Sequence, residues 1–135
     1  MKILGIGVDI IEKSRIKKSI QNSQFIKRIF SSKEIIIAKK INDKISYYSK
    51  RFVAKEALAK SLGIGFRNGL NFKDITIVND KLGKPLFITT NKIKKIVKKQ
   101  FNVSSFNFFL SISDEKKYCI SYVILQKKWK LINLL

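Results

Sequence analysis

The sequence predicts an α+β protein, and three observations carry that reading. The chain opens on a β-branched, glycine-bearing strand. Helical spacing dominates from residue 12 to about 62. Strand-like stretches then crowd the second half. With 135 residues the chain is expected to form one domain, 1–135, large enough for a modest core.

Each element has its own signal. "KILGIGVDII" (2–11) is rich in β-branched residues and reads as a strand. Between 12 and about 41, Ile16, Ile20, Phe25, Ile26, Ile29 and Phe30 fit short amphipathic helices. "SSKE" (31–34) is a helix start, with Ser31 as cap and Glu34 three residues on. Asn42 or Asp43 caps a longer helix over 44–62, which Gly63 and Gly65 end.

"FKDITIVND" (72–80) reads as a strand, "KLGKP" (81–85) as a turn, and "LFIT" (86–89) as a short strand. "NKIKKIVKKQ" (91–100) is a helix capped by Thr90 or Asn91. "FNFFLSIS" and "YCISYVIL" alternate as strands around "DEKK" (114–117), a hairpin. The single Cys119 has no internal partner for a disulfide and reads as a small core residue.

Composition excludes several chemistries. There is no histidine, so no Ser-His or Cys-His device and no histidine metal site. One cysteine also excludes thiolate zinc. Oxygen ligation remains, which suits Mg²⁺ or Mn²⁺. No run of about 18 apolar residues exists, so no membrane span is expected, and the chain reads as cytoplasmic. The net charge of +20 favours an anionic partner. Lysine outnumbers arginine 25 to 4, and Ile and Asn are abundant. AT-rich codon usage produces the same bias, so the charge alone does not name the partner.

Against this background two acids stand out. On a wheel of about 100° per residue, Ile45, Tyr48, Phe52, Ala59 and Leu62 share an arc, with Glu56 at its edge and Lys60 one turn on. Glu56 and Lys60 could form an ordinary surface pair. Asp9 sits inside an apolar strand, where a carboxylate needs a partner, either a lysine or a cation. Two carboxylates and many lysines fit a Mg²⁺ site shared with substrate phosphates.

Three stretches, "GIGVDIIEKSRI" (5–16), "RFVAKEALAKSLGIG" (51–65) and "LSISDEKKYCISYVI" (110–124), resemble in order and spacing the holo-acyl-carrier-protein synthases, the short single-domain 4′-phosphopantetheinyl transferases. "NDKLGKPLF" (79–87) resembles that family's hairpin. The resemblance implies an antiparallel sheet packed on a long helix, with the active site between the subunits of a homotrimer. It implies Mg²⁺-dependent transfer of the phosphopantetheine arm of coenzyme A to a serine of apo-acyl carrier protein, within fatty acid biosynthesis.

Carried over, Asp9 and Glu56 match the metal ligands, and Lys60 matches a catalytic lysine near the diphosphate. Gly63 and Gly65 match the turn beside coenzyme A. Ser111 and Ser113 match the strand beside the adenosine phosphate of the neighbouring subunit. Arg15, and with it Arg28, matches an arginine facing the acidic carrier. The family pattern continues "SIS" with His, where this chain has Asp114. An acid there would repel a phosphate, so either that histidine is dispensable or Lys116 or Lys117 replaces it.

Two other classes compete. A nucleic-acid-binding module would use the basic charge and aromatic platforms, but the aromatics alternate with apolar residues, as core does. A membrane-surface helix over 91–100 would need a broader apolar face than that stretch has. Neither a nucleic-acid partner nor a membrane is therefore expected.

Overall fold

The structure, a computed structural model, describes residues 2–67 and 69–129. Strand β1 (Lys2–Glu12) leads into three short helices, α1 (Lys13–Ser19), α2 (Ser23–Ile29) and α3 (Ser32–Ala38). The long helix α4 (Lys44–Ser61) follows, then a 3-10 turn (Phe72–Asp74) and the hairpin β2 (Thr76–Asn79) and β3 (Pro85–Ile88). Helix α5 (Asn91–Phe101), β4 (Phe106–Asp114) and β5 (Tyr118–Lys127) complete the described chain. The first strand and the last two form an antiparallel sheet in the order β1-β5-β4, and β2-β3 form a separate two-stranded sheet.

The caps follow local chemistry. Ser31 and Glu34 exchange hydrogen bonds in a full capping box at α3. Asp43 accepts from the Ser46 amide at the start of α4, and Thr90 accepts from the Ile93 amide at the start of α5. Cys119 is buried as expected, and burial first of all pushes its thiol up to about 11.

Two expectations need correction. The strand expected over 72–80 is only Thr76–Asn79, because the Asn71 amide donates to the Asp74 carboxylate at 2.8 Å and closes a 3-10 turn ahead of it. Helix α4 is not one-sided. Val53, Ala54, Ala57, Leu58 and Ser61 are buried as well as Tyr48, Ala59 and Leu62, whereas Ile45 and Phe52 of the expected arc are only half-buried. The helix is central: β1 and β5 cover one side, and α1 and α3 pack on another.

Its C-terminal half joins Leu70, Ile75, Ile77, Ile93, Val97 and Leu125 in one apolar cluster, and its N-terminal half joins Ile16, Ile29, Phe30 and Cys119 in a second. The sheet's other face is open. Ile6, Val8 and Ile10 of β1, Phe109 of β4, and Tyr118, Ile120 and Tyr122 of β5 are all exposed.

Candidate active site

Two glycines bring β1 onto α4. A Cβ on Gly5 would collide with the Ser61 carbonyl oxygen, and one on Gly7 with the Ala57 carbonyl oxygen. Only glycine lets the strand lie backbone to backbone on the helix at that point. Gly7, Asp9 and Ile11 alternate on the inward face, so this contact carries Asp9 to the turn of α4 that holds Glu56 and Lys60.

There Lys60 Nζ lies 2.9 Å from Asp9 Oδ1 and 3.0 Å from the Val8 carbonyl oxygen. Glu56 is half-buried. Burial pushes its carboxyl up, the Asp9 charge pushes it further, and Lys60 pulls the other way. Lys60 is thus spent on Asp9, and the ordinary Glu56–Lys60 surface pair does not form. The lysine bridge considered for Asp9 does form, and it joins Lys60 to Asp9 alone.

That donor set fits a hard divalent cation. Among the described residues no group of three or more His, Cys, Asp and Glu side chains comes together. A cation here would take Asp9 and Glu56 and leave its other positions to substrate oxygens and water, as Mg²⁺ does.

Gly63 and Gly65 follow directly on this turn, with φ of 76° and 59°. The Gly63 amide donates to Lys60 O at 3.0 Å and the Gly65 amide to Ala59 O at 3.3 Å, closing the helix end. Ser111 and Ser113 lie elsewhere. They are exposed on the outer face of β4, so one chain does not bring them to Asp9 and Glu56. Arg15 and Arg28 are exposed on α1 and α2, and neither forms an ion pair among the described residues.

Asp114 is already engaged. It accepts from Lys13 Nζ at 2.8 Å and from the Ser46 hydroxyl. Burial alone would raise its carboxyl, but these two hydrogen bonds and the Lys13 charge outweigh it and hold it below the usual range. The cation paired with Asp114 is Lys13, 101 positions away.

Comparison with known proteins settles the family. Residues 5–123 match the family model described as the 4′-phosphopantetheinyl transferase superfamily. The chain belongs to that superfamily. A holo-acyl-carrier-protein synthase of Pelagibacter ubique (strain HTCC1062) is 72% identical over 128 residues, 95% of this chain and 100% of the relative. The crystal structure of the synthase from Neisseria meningitidis superposes with a TM-score of 0.84 at 34% identity, covering 93% of this chain and 100% of that one. The synthase from Bacillus anthracis str. Ames, solved in complex with CoA (3′,5′-ADP), superposes with a TM-score of 0.78 at 34% identity over 93% and 98% of the two chains.

Two features of this phosphopantetheinyl transferase chain escaped the sequence reading. The first is a cleft of about 630 Å³ whose lining includes Lys33, Ser46, Tyr47, Lys50, Arg51 and Asn79. Arg51 is buried, stacked 4.5 Å from the Tyr47 ring centroid, and bonded to Asn79 Oδ1 at 3.3 Å. Its Nε has no partner among the described residues. Around α4, Tyr47 stands about 180° from Glu56, Arg51 about 140° and Lys50 about 120°. The basic cleft and the acid pair thus occupy different sides of one helix. Ser46 ties the cleft's rim to Asp114, the position where the family pattern has His. The second feature is a buried ion pair, Glu34–Lys55, which holds the helices rather than a ligand.

Proposed function

We propose that the chain transfers the 4′-phosphopantetheine arm of coenzyme A to a serine of apo-acyl carrier protein, releasing adenosine 3′,5′-bisphosphate, with 1–135 acting as one transferase domain. The observation that carries this reading is the notch of Asp9, Glu56 and Lys60, set against the backbone contact of Gly5 and Gly7.

Asp9 and Glu56 would hold Mg²⁺, which when bound offsets charge growing on diphosphate oxygens. Lys60 adds an ammonium to the same oxygens. The carrier serine attacks the β-phosphorus, and the bond to the nucleotide's oxygen breaks. The serine proton passes to an oxygen base in the notch. The turn at Gly63 and Gly65 lies beside the arm.

The phosphorylated nucleotide end suits the Arg51 cleft, which offers two lysines and a buried guanidinium whose Nε–H has no partner among the described residues. Because cleft and notch face different sides of α4, two chains are needed to build one site. The exposed apolar face of β1, β5 and β4 supports that assembly as a homotrimer, and it carries Ser111 and Ser113 toward a neighbour. Its aromatics stand among Ile6, Val8, Ile10 and Ile120 rather than among lysines, which argues against a nucleic-acid platform. Among the described residues no helix is long and apolar enough to cross a membrane. Residence is proposed to be cytoplasmic.

Incubation with apo-acyl carrier protein, coenzyme A and Mg²⁺, followed by mass spectrometry, tests the reading. A gain on the carrier equal to the phosphopantetheine mass supports it. No gain, with tight salt-sensitive binding to DNA, overturns it.

Exposed Arg15 is proposed to meet the acidic carrier. Arg15→Glu is expected to weaken carrier binding roughly tenfold at low salt, with less effect at high salt, and to leave coenzyme A binding intact. Arg28→Glu should act in the same direction. Equal carrier affinity in the Arg15 variant would remove that residue from the interface.

A further inference from the structure

We propose that Lys60 is a resident stand-in for the divalent cation: its ammonium holds the Asp9 carboxylate, and it leaves for the diphosphate when cation and coenzyme A enter. The inference rests on the reading of Asp9 and Glu56 as the cation's ligands and adds what Lys60 does at Asp9.

The geometry has two parts. Both acceptors of the Lys60 ammonium, Asp9 Oδ1 at 2.9 Å and the Val8 carbonyl oxygen at 3.0 Å, belong to β1, so the side chain is drawn across the strand–helix seam instead of lying along its helix. Glu56 is one turn back on the same helix, and Lys60 pairs with Asp9 across the seam instead of with it. The ammonium therefore occupies the Asp9 carboxylate, one of the two that a cation here would use. Without it, two carboxylates would face each other across the seam.

The side chain is also free to go. Its relative exposure is 52%, against 18% for Asp9. Lys55, five residues earlier on the same helix, shows the opposite condition. It is fully buried and bonded to Glu34 and to the carbonyl oxygens of Ile29, Phe72 and Ile75. One lysine is fixed in the core; the other is on a half-exposed stem held by two acceptors of one strand. Half-exposed pairs are weak, so an entering divalent ion displaces Lys60 at a cost of roughly two- to fivefold in affinity.

Coupling follows. A cation entering alone sends the ammonium into water. A cation entering with coenzyme A gives it the diphosphate as a new anionic partner. Cation and coenzyme A should therefore each tighten the other's binding, by the same factor.

The test is calorimetric titration of Mn²⁺ into the wild-type chain, Lys60→Met and Lys60→Arg, each with and without coenzyme A. Without coenzyme A, Lys60→Met is expected to bind Mn²⁺ roughly two- to fivefold tighter than wild type, while Lys60→Arg, which keeps the charge, stays near wild type. With coenzyme A, the gain in Mn²⁺ affinity should be smaller in Lys60→Met than in wild type. Adding Asp9→Asn to the wild-type chain and to Lys60→Met should abolish the difference between the two, and circular dichroism checks that each variant is folded. Mn²⁺ binding that is unchanged or weaker in Lys60→Met overturns the inference while leaving the cation site standing. A wild-type chain that binds no Mn²⁺ even with coenzyme A overturns the cation site itself, and the inference with it.

Discussion

Glu56→Gln is expected to slow transfer of the phosphopantetheine arm on the order of 10²-fold or more, about 2.7 kcal/mol of transition-state stabilisation, in a protein that remains folded. The amide keeps the shape of the side chain and removes the charge that would hold the cation against the diphosphate. Stability should change little, because burial and the Asp9 charge already disfavour the carboxylate, and an amide is easier to desolvate. Asp9→Asn should act alike. The double variant should lose far less than the product of the two losses, since both acids serve one ion. Steady-state rates at saturating carrier, with thermal unfolding alongside, measure this. A Glu56→Gln enzyme with wild-type turnover and unchanged Mg²⁺ dependence would sink the metal reading.

Lys55→Met should produce the largest loss of stability, about 3–5 kcal/mol. Lys55 Nζ lies 2.6 Å from Glu34 Oε1, and both side chains are 0% exposed. The same ammonium donates to Ile29 O at 2.9 Å, Phe72 O at 3.0 Å and Ile75 O at 2.6 Å. Glu34 in turn accepts from the Ser31 amide at 2.9 Å and the Ile77 amide at 3.0 Å. One pair thus fastens the end of α2, the start of α3, the middle of α4 and the segment leading into β2.

Methionine fills much the same volume but strands a buried carboxylate and three carbonyl oxygens. A loss of that size is a large share of the total stability of a small domain. Urea unfolding reads it as a fall in midpoint at constant slope. A change below about 1 kcal/mol would show that the pair contributes far less than buried pairs usually do. Adding Glu34→Leu should recover part of the loss, but not all, because the Ser31 and Ile77 amides then lack their acceptor.

The order and type of the elements were legible because they depend on local signals: caps at Ser31, Asp43 and Thr90, and alternation in β4 and β5. The acid pair was legible because Asp9 interrupts an apolar strand and Glu56 edges an apolar arc. What escaped depends on contacts distant in sequence. Glu34 fits the capping box so well that nothing local announces its second partner, Lys55, in the next helix. The available signal was Lys55 itself, which falls inside the apolar arc of the α4 wheel. Arg51 reads as an ordinary first residue of "RFVAKEA" until Asn79 and Tyr47 enclose it. Asp114 looked like a liability toward phosphate because Lys13 lies at the other end of the chain. The turn at Phe72–Asp74 was hidden by β-like composition.

The backbone contact between β1 and α4 also sets how freely this strand can vary. At Gly5 and Gly7 every other L-residue meets a helix carbonyl, so a saturation library should return almost nothing there. Ile6, Val8 and Ile10, which alternate with them, point away from the helix. In a solitary chain those positions would accept polar residues, and tolerance along β1 would rise and fall with a period of two. If another chain covers that face, the permitted positions close as well, and the strand becomes nearly invariant from Gly5 to Ile11. A scan of β1, read only as which substitutions survive, would therefore report on the chain's neighbours without any measurement of mass.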